Sequence, residues 1–125
     1  MPPEPAEVAT QFNDAINAGD LAGLAVLMSD DHRFVDAASN VVSGKPACLA
    51  AWRGFFESFP DYQNVFTAFF TRGDVVMIVG RSECSEPALA GPALWTATVI
   101  GDQVTEWHVH EDAPEVREHL GLPAK

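Results

Sequence analysis

The stretch Gln103-Val104-Thr105-Glu106-Trp107-His108-Val109-His110-Glu111-Asp112 reads as a β-strand. A Gly101-Asp102 turn precedes it, and β-branched and aromatic residues run through it. Strand side chains alternate, so Val104, Glu106, His108, His110 and Asp112 share one side, and Thr105, Trp107, Val109 and Glu111 the other. One side carries two imidazoles between carboxylates; the other carries an apolar Trp/Val pair. The side that looks inward decides whether the imidazoles line a pocket or a solvated face.

Working outward, the second half of the chain has the period of a meander. Residues 64–72 and 75–84 are strands joined by a Gly73-Asp74 turn, and residues 93–100 form a third strand before Gly101-Asp102. Residues 86–92 hold two prolines and a glycine, which predicts a loop. The first half has helical period instead. Val8, Phe12 and Ile16 recur every four residues, and Gly19 stops that helix. Asp20 caps a second short helix whose inner face is Leu21, Leu24, Leu27 and Met28. Residues 32–36 predict a short strand with His32, Phe34 and Asp36 on one face, and a loop through Ser39-Asn40 follows. A third helix starts at Ser43 or Gly44 with Pro46 in its first turn, carries Leu49, Trp52, Phe56 and Phe59, and closes at Pro60. Pro114 starts a last short helix through Val116 and Leu120. Helices followed by an antiparallel meander argue an α+β fold with the helices packed on one face of the sheet.

The 125 residues suit one domain with a real core, and 47% hydrophobic with 20% charged residues excludes global disorder. No repeat or linker divides the chain, so residues 1–125 are read as one domain. A net charge of -11 repels nucleic acid and anionic membrane surfaces, so neither is an expected partner. Cys48 and Cys84 lack metal-ligand spacing and read as reduced, packed thiols. The first residues lack a secretory pattern and no apolar run is long enough to span a bilayer, so a cytoplasmic protein is expected.

Several runs together resemble a known family. Ala15-Ile16-Asn17-Ala18-Gly19-Asp20-Leu21-Ala22-Gly23-Leu24, then Asp30-Asp31, Asp36 and Ser43-Gly44, resemble the opening of the nuclear-transport-factor-2-like superfamily. Residues 104–112, followed by Glu118-His119-Leu120-Gly121-Leu122-Pro123, resemble the final strand and tail of its SnoaL-like polyketide cyclases, with ketosteroid isomerases as relatives. The resemblance covers nearly the whole chain. It implies a cystatin-like cone, a curved and mainly antiparallel sheet wrapped on three helices from the N-terminal half around a deep apolar pocket. It also implies a homodimer and a small hydrophobic ligand, with no cofactor and no metal.

The same resemblance orients the candidate residues. A general-base Asp falls at Asp36, an enolate-stabilising Tyr at Phe12, and a second, protonated acid near Leu94-Trp95. The chain thus keeps one of three groups, which argues against steroid isomerisation, because oxyanion donors supply much of its rate. The implied register turns Met77, Val79 and Arg81 toward the pocket, and also Glu106, His108 and His110. Phe12, His32, Phe34, Trp52, Phe56 and Trp95 complete the implied walls. A carboxylate placed among those rings is expected to be desolvated, with its pKa raised toward that of a working base. The bland alternatives are that Asp36 merely caps the turn after its strand and that the histidines face solvent.

Two classes of function follow. One is an enzyme in which Asp36 is the base and His108 or His110 the proton donor, acting by isomerisation or cyclisation of a small hydrophobic carbonyl compound. The other is a non-catalytic ligand-binding or interaction domain on the same cone. An epoxide-hydrolase-like activation of water is a third reading. It requires Asp36, Arg81 and Glu106 or Asp112 to converge.

Overall fold

The computed structural model describes residues 3–123. Helix α1 (Pro5–Ala18) has Pro5 at its start, where a missing N–H costs nothing, and ends on Gly19 in the left-handed conformation, φ 64°. Helix α2 (Leu21–Leu27) is capped by Asp20, whose carboxylate accepts from the Gly23 N–H at 3.0 Å. Strand β1 (Met28–Val35) begins four residues earlier than the sequence predicts and takes Met28 out of the helix. A short β2 (Val41–Ser43) occupies part of the expected loop, and α3 (Lys45–Ser58) follows with Pro46 in its first turn.

The meander is β3 (Gln63–Arg72), β4 (Val75–Glu83), β5 (Gly91–Ile100) and β6 (Gln103–Glu111), with a single 3-10 turn over Pro87–Leu89 in the predicted loop. Gly73 and Gly101 take positive φ at the first central position of their two-residue turns, as a type II′ hairpin needs. Helix α4 (Pro114–Leu120) closes the described chain. The strands form one curved sheet in the order β2-β1-β6-β5-β4-β3, antiparallel except where β1 runs parallel to β6. This is the α+β cone expected from the sequence.

The sheet has apolar cover on both faces. On the inner face α1, α2 and α3 pack over Val76, Ile78, Trp95, Ala97, Val99, Val104 and Trp107. On the outer face α4 and the residues after it bring Val116, Leu120 and Leu122 onto Val75, Met77, Val79 and Leu94. Arg117 anchors that strap: its guanidinium grips Asp112 through Nε–Oδ1 (2.6 Å) and Nη2–Oδ2 (3.0 Å) and donates to the Pro123 carbonyl.

Two bulges fix which residues face which way. Between Phe66 and Ala68 the β3–β4 register slips, leaving Thr67 unpaired; between Val104 and Glu106 the β5–β6 register slips at Thr105. Gly80 lies opposite the first bulge, and a Cβ there would stand 2.1 Å from the Val65 carbonyl oxygen. That close approach sets the β3 backbone tightly against β4 at the bulge.

Candidate functional site

The helices and the bent sheet enclose a cavity of about 660 Å³. This lies within the usual size range of small-molecule sites. One wall is a run of edge-on aromatic rings. Phe34 meets Trp52 at 5.5 Å between centroids, Trp52 meets Phe55 at 5.7 Å, and Phe55 meets Tyr62 at 4.8 Å. Interplanar angles of 74°, 83° and 89° are the geometry that ring quadrupoles favour. The floor is Trp95 and Trp107, both fully buried and bridged by Phe66. The mouth lies between Asp36-Ala37-Ala38 after β1, Ala88–Ala93 from the 3-10 turn into β5, and Val109–Glu111 at the end of β6.

One polar cluster borders this apolar space. Bulge-shifted pairing sets Asn64 of β3 opposite Ser82 of β4. The Ser82 hydroxyl donates to Asn64 Oδ1 at 2.7 Å, and the Tyr62 hydroxyl stands 3.1 Å from Ser82 Oγ. Asn64 is held in turn by α1: the side chains of Asn13 and Asn17 donate to its carbonyl, and Asn17 Oδ1 accepts from its N–H. Burial pushes the Tyr62 hydroxyl pKa above its ordinary value, although its hydrogen-bonding contacts with Ser82 and Asn64 oppose the shift. Tyr62 is therefore a neutral hydroxyl over the physiological range.

Asp36 faces the mouth, next to Phe34, but its carboxylate is already engaged. Oδ1 accepts from the Ala38 and Asn40 N–H groups at 2.9 Å each, and Oδ2 from Asn40 Nδ2 at 3.0 Å. These bonds, led by the Asn40 N–H, hold its pKa below the ordinary carboxylate value. The desolvated, strengthened base expected from the sequence is not what surrounds it. The side chain locks the Asp36–Asn40 turn, as Asp does at such positions.

Strand β6 has the opposite orientation to the one the resemblance implies. Trp107 is buried and Val109 lines the cavity, while Glu106 and His108 lie on the outer face. There Glu106 stands 3.9 Å from Arg33 and 3.7 Å from His108 Nδ1. The bulge at Thr105 carries Val104 inward with Trp107, so strict alternation across the strand also fails. His110 borders the cavity rim, but its ring stacks on His108 at 3.8 Å and its Nε2 meets Thr96 Oγ1 at 2.9 Å. Desolvation, and secondarily the His108 and His119 charges, lower its pKa to about 4. His108 is shifted down as well, again chiefly by desolvation.

Other candidates divide in the same way. Phe34, Trp52 and Trp95 border the cavity; Phe12, His32, Phe56, Met77, Val79 and Arg81 do not. Phe12 is core, packed 4.7 Å from Trp107 and 5.5 Å from His32. His32 is fully buried with Nδ1 on the Val104 carbonyl at 2.7 Å, and burial keeps it neutral by lowering its pKa. Phe56 packs beside Trp52 and leaves the wall to Phe55. Met77 and Val79 lie under α4 on the far face, and Arg81 pairs with Glu83 at the surface. The Asp-Arg-Asp convergence required for water activation is not assembled. Among the described residues, no group of three or more His, Cys, Asp or Glu side chains is placed to hold a metal. None of their helices is long and apolar enough to cross a membrane.

Sequence reasoning missed Tyr62, Asn64, Ser82 and Phe55. Tyr62 is the only tyrosine and Asn64 lies two residues on, the spacing of a shared strand side. Their meeting with Ser82 depends on the Thr67 bulge, which nothing in the local pattern announces.

Comparison with known proteins fits this architecture. Residues 9–114 match the model of the SnoaL-like domain, and the chain belongs to that family. Similar folds include a protein of Shewanella putrefaciens described as a SnoaL-like polyketide cyclase, with TM-score 0.78, 18% identity, 95% of this chain and 86% of that chain covered. They also include a cystatin-fold protein of Novosphingobium aromaticivorans (0.75, 17%, 87% and 99%) and an epoxide hydrolase of the LEH-like type from M. tuberculosis (0.75, 13%, 86% and 82%). At such identities the likeness establishes the nuclear-transport-factor-2-like cone and nothing finer. No functionally curated protein gives a significant match to the sequence.

Proposed function

We propose that this chain binds a small hydrophobic molecule in its cone. The observation that carries the reading is the cavity of about 660 Å³ walled by Phe34, Trp52, Phe55, Trp95 and Trp107. An apolar guest there exchanges water contact for ring contact, worth about 25 cal/mol per Å² of apolar surface removed from water. The test is a thermal-shift and fluorescence titration with phenanthrene, run on the native chain and on Ala93→Trp, whose side chain would fill the space beside Trp95. Saturable stabilisation of the native chain, lost in Ala93→Trp, is the expected result. Equal response in both, or none in either, would sink the reading.

A second reading, turnover by isomerisation or cyclisation with Asp36 as base, draws support from the position of Asp36 beside Phe34 at the cavity mouth. The depressed pKa and the three hydrogen bonds count against it, since bonds that favour the ionised carboxylate make it a weaker base. Turnover of any bound carbonyl compound that falls at least about a hundredfold in Asp36→Asn, with binding unchanged, would favour catalysis. We also propose a homodimer, because β3 leaves Phe69 and Phe70 exposed at 41% and 37%. Sedimentation equilibrium returning a monomer would reject that part.

A further inference from the structure

The cavity's polar cluster and the charges around it carry a statement about which polar group the guest bears. This rests on the pocket reading above.

Start with hydrogen-bond valence. Ser82 commits its one O–H to Asn64 Oδ1 at 2.7 Å, so at the 3.1 Å contact with Tyr62 it is the tyrosine that donates. With its proton engaged, the Tyr62 oxygen keeps lone-pair capacity at the edge of the cavity. A guest that donates there completes the chain without breaking a bond already made. A guest that only accepts must first pull the Tyr62 proton away from Ser82.

Then consider charge. Among the described residues no Lys or Arg borders the cavity, while Asp36 and Glu111 stand at its mouth. Asp36 is held ionised by its hydrogen bonds, and the His110 imidazole, with a pKa of about 4, is neutral at pH 7. A carboxylate entering would pass two like charges and find no counter-ion in an apolar interior, the costly case for a buried ion. A neutral hydroxyl avoids both penalties.

We propose that the Tyr62–Ser82–Asn64 cluster seats a neutral hydroxyl of the apolar guest through the Tyr62 oxygen, and that the same cavity rejects carboxylates. Tyr62 is then a specificity-determining residue of the site.

Three matched fluorescent probes test this: hydroxypyrene, methylpyrene and pyrenecarboxylate, titrated at pH 7 into the native chain, Tyr62→Phe and Ala93→Trp. Near-ultraviolet circular dichroism checks that Tyr62→Phe, which keeps the ring on Phe55, is folded. Hydroxypyrene should bind about three- to tenfold more tightly than methylpyrene, the value of one net hydrogen bond, with pyrenecarboxylate weakest. In Tyr62→Phe the hydroxyl preference should vanish while methylpyrene affinity is unchanged. Equal binding of hydroxypyrene and methylpyrene, tightest binding of the carboxylate, or a preference that survives in Tyr62→Phe each overturns the inference and leaves the pocket reading standing. Failure of every pyrene to bind the native chain removes the pocket reading and the inference with it.

Discussion

The two faces of β6 differ by one residue in phase and by everything in environment. Inward lie Val104, Trp107 and Val109; outward lie Glu106 and His108, with His110 stacked on His108 at the cavity rim. Alternation assigns residues to two sides and does not say which is inside. Magnitudes do. Trp107 removes on the order of 200 Å² from water, and at about 25 cal/mol per Å² this favours its burial by roughly 5 kcal/mol. Turning the other row inward would forfeit that and bury Glu106, whose charge then needs a partner inside. On the outer face Glu106 has Arg33 at 3.9 Å, and the imidazoles stack while staying partly solvated. The inner row therefore carries stability and the outer row does not.

That contrast can be broken by experiment. Trp107→Ala should have the largest effect, about 3–5 kcal/mol by urea denaturation, because it empties the floor between Phe12 and Phe66. Met77→Ala should cost about 2–3 kcal/mol, since Met77 is buried under α4 although it faces away from the cavity. A cost near zero there would mean that the strap does not hold in solution. Arg117→Ala should cost about 1.5–3 kcal/mol through the lost grip on Asp112 and the Pro123 carbonyl, read as a lower Tm. His108→Ala should lie within about 0.5 kcal/mol of the native chain. A penalty as large as that of Trp107 would show that the outer row is buried, as a dimer interface would make it.

Acid sharpens the same comparison. His110, His108 and His32 all have folded pKa values below the ordinary 6.5. Between pH 6.5 and about 4 the unfolded chain thus binds more protons, and stability must fall as pH drops through that window. Above pH 7 these groups contribute no slope. Asp36 adds a loss of its own only at lower pH, below the ordinary carboxylate value of 3.8, where its turn bonds are protonated away. Urea midpoints measured from pH 8 to 4 should decline, and His110→Gln should flatten the decline. A flat native profile would contradict the burial of these rings.

Much of the fold was legible because turns and periods are local. Gly73-Asp74 and Gly101-Asp102 announced their hairpins, and Val8, Phe12 and Ile16 announced α1. The site was legible only in part. The family resemblance puts Phe34, Trp52, Trp95 and Asp36 at the cavity, where they lie, yet the run Val75-Val76-Met77-Ile78-Val79 has no alternation to read, because α4 buries the far face as the helices bury the near one. The bulges at Thr67 and Thr105 each displace the register by one residue, and a one-residue slip reverses every side chain beyond it. Neither threonine carries a local signature of that role. The hydrogen bonds that engage Asp36 come from Asn40 and Ala38, near in sequence but visible only once the turn is built.

Gly80 sits where the bulge, the fold of the hairpin and the polar cluster meet. Its missing side chain lets the Val65 carbonyl press against β4, and Phe66, beside the bulge, pairs with it. The residues that would choose a guest, Tyr62 and Asn64 on one limb and Ser82 on the other, lie on one side of this crease; the hairpin tip lies on the other. Any larger residue at 80 would have to prise the limbs apart and pull Asn64 from Ser82. A lineage that varies its ligand is therefore free to change the lining residues one at a time, whereas position 80 is closed to it.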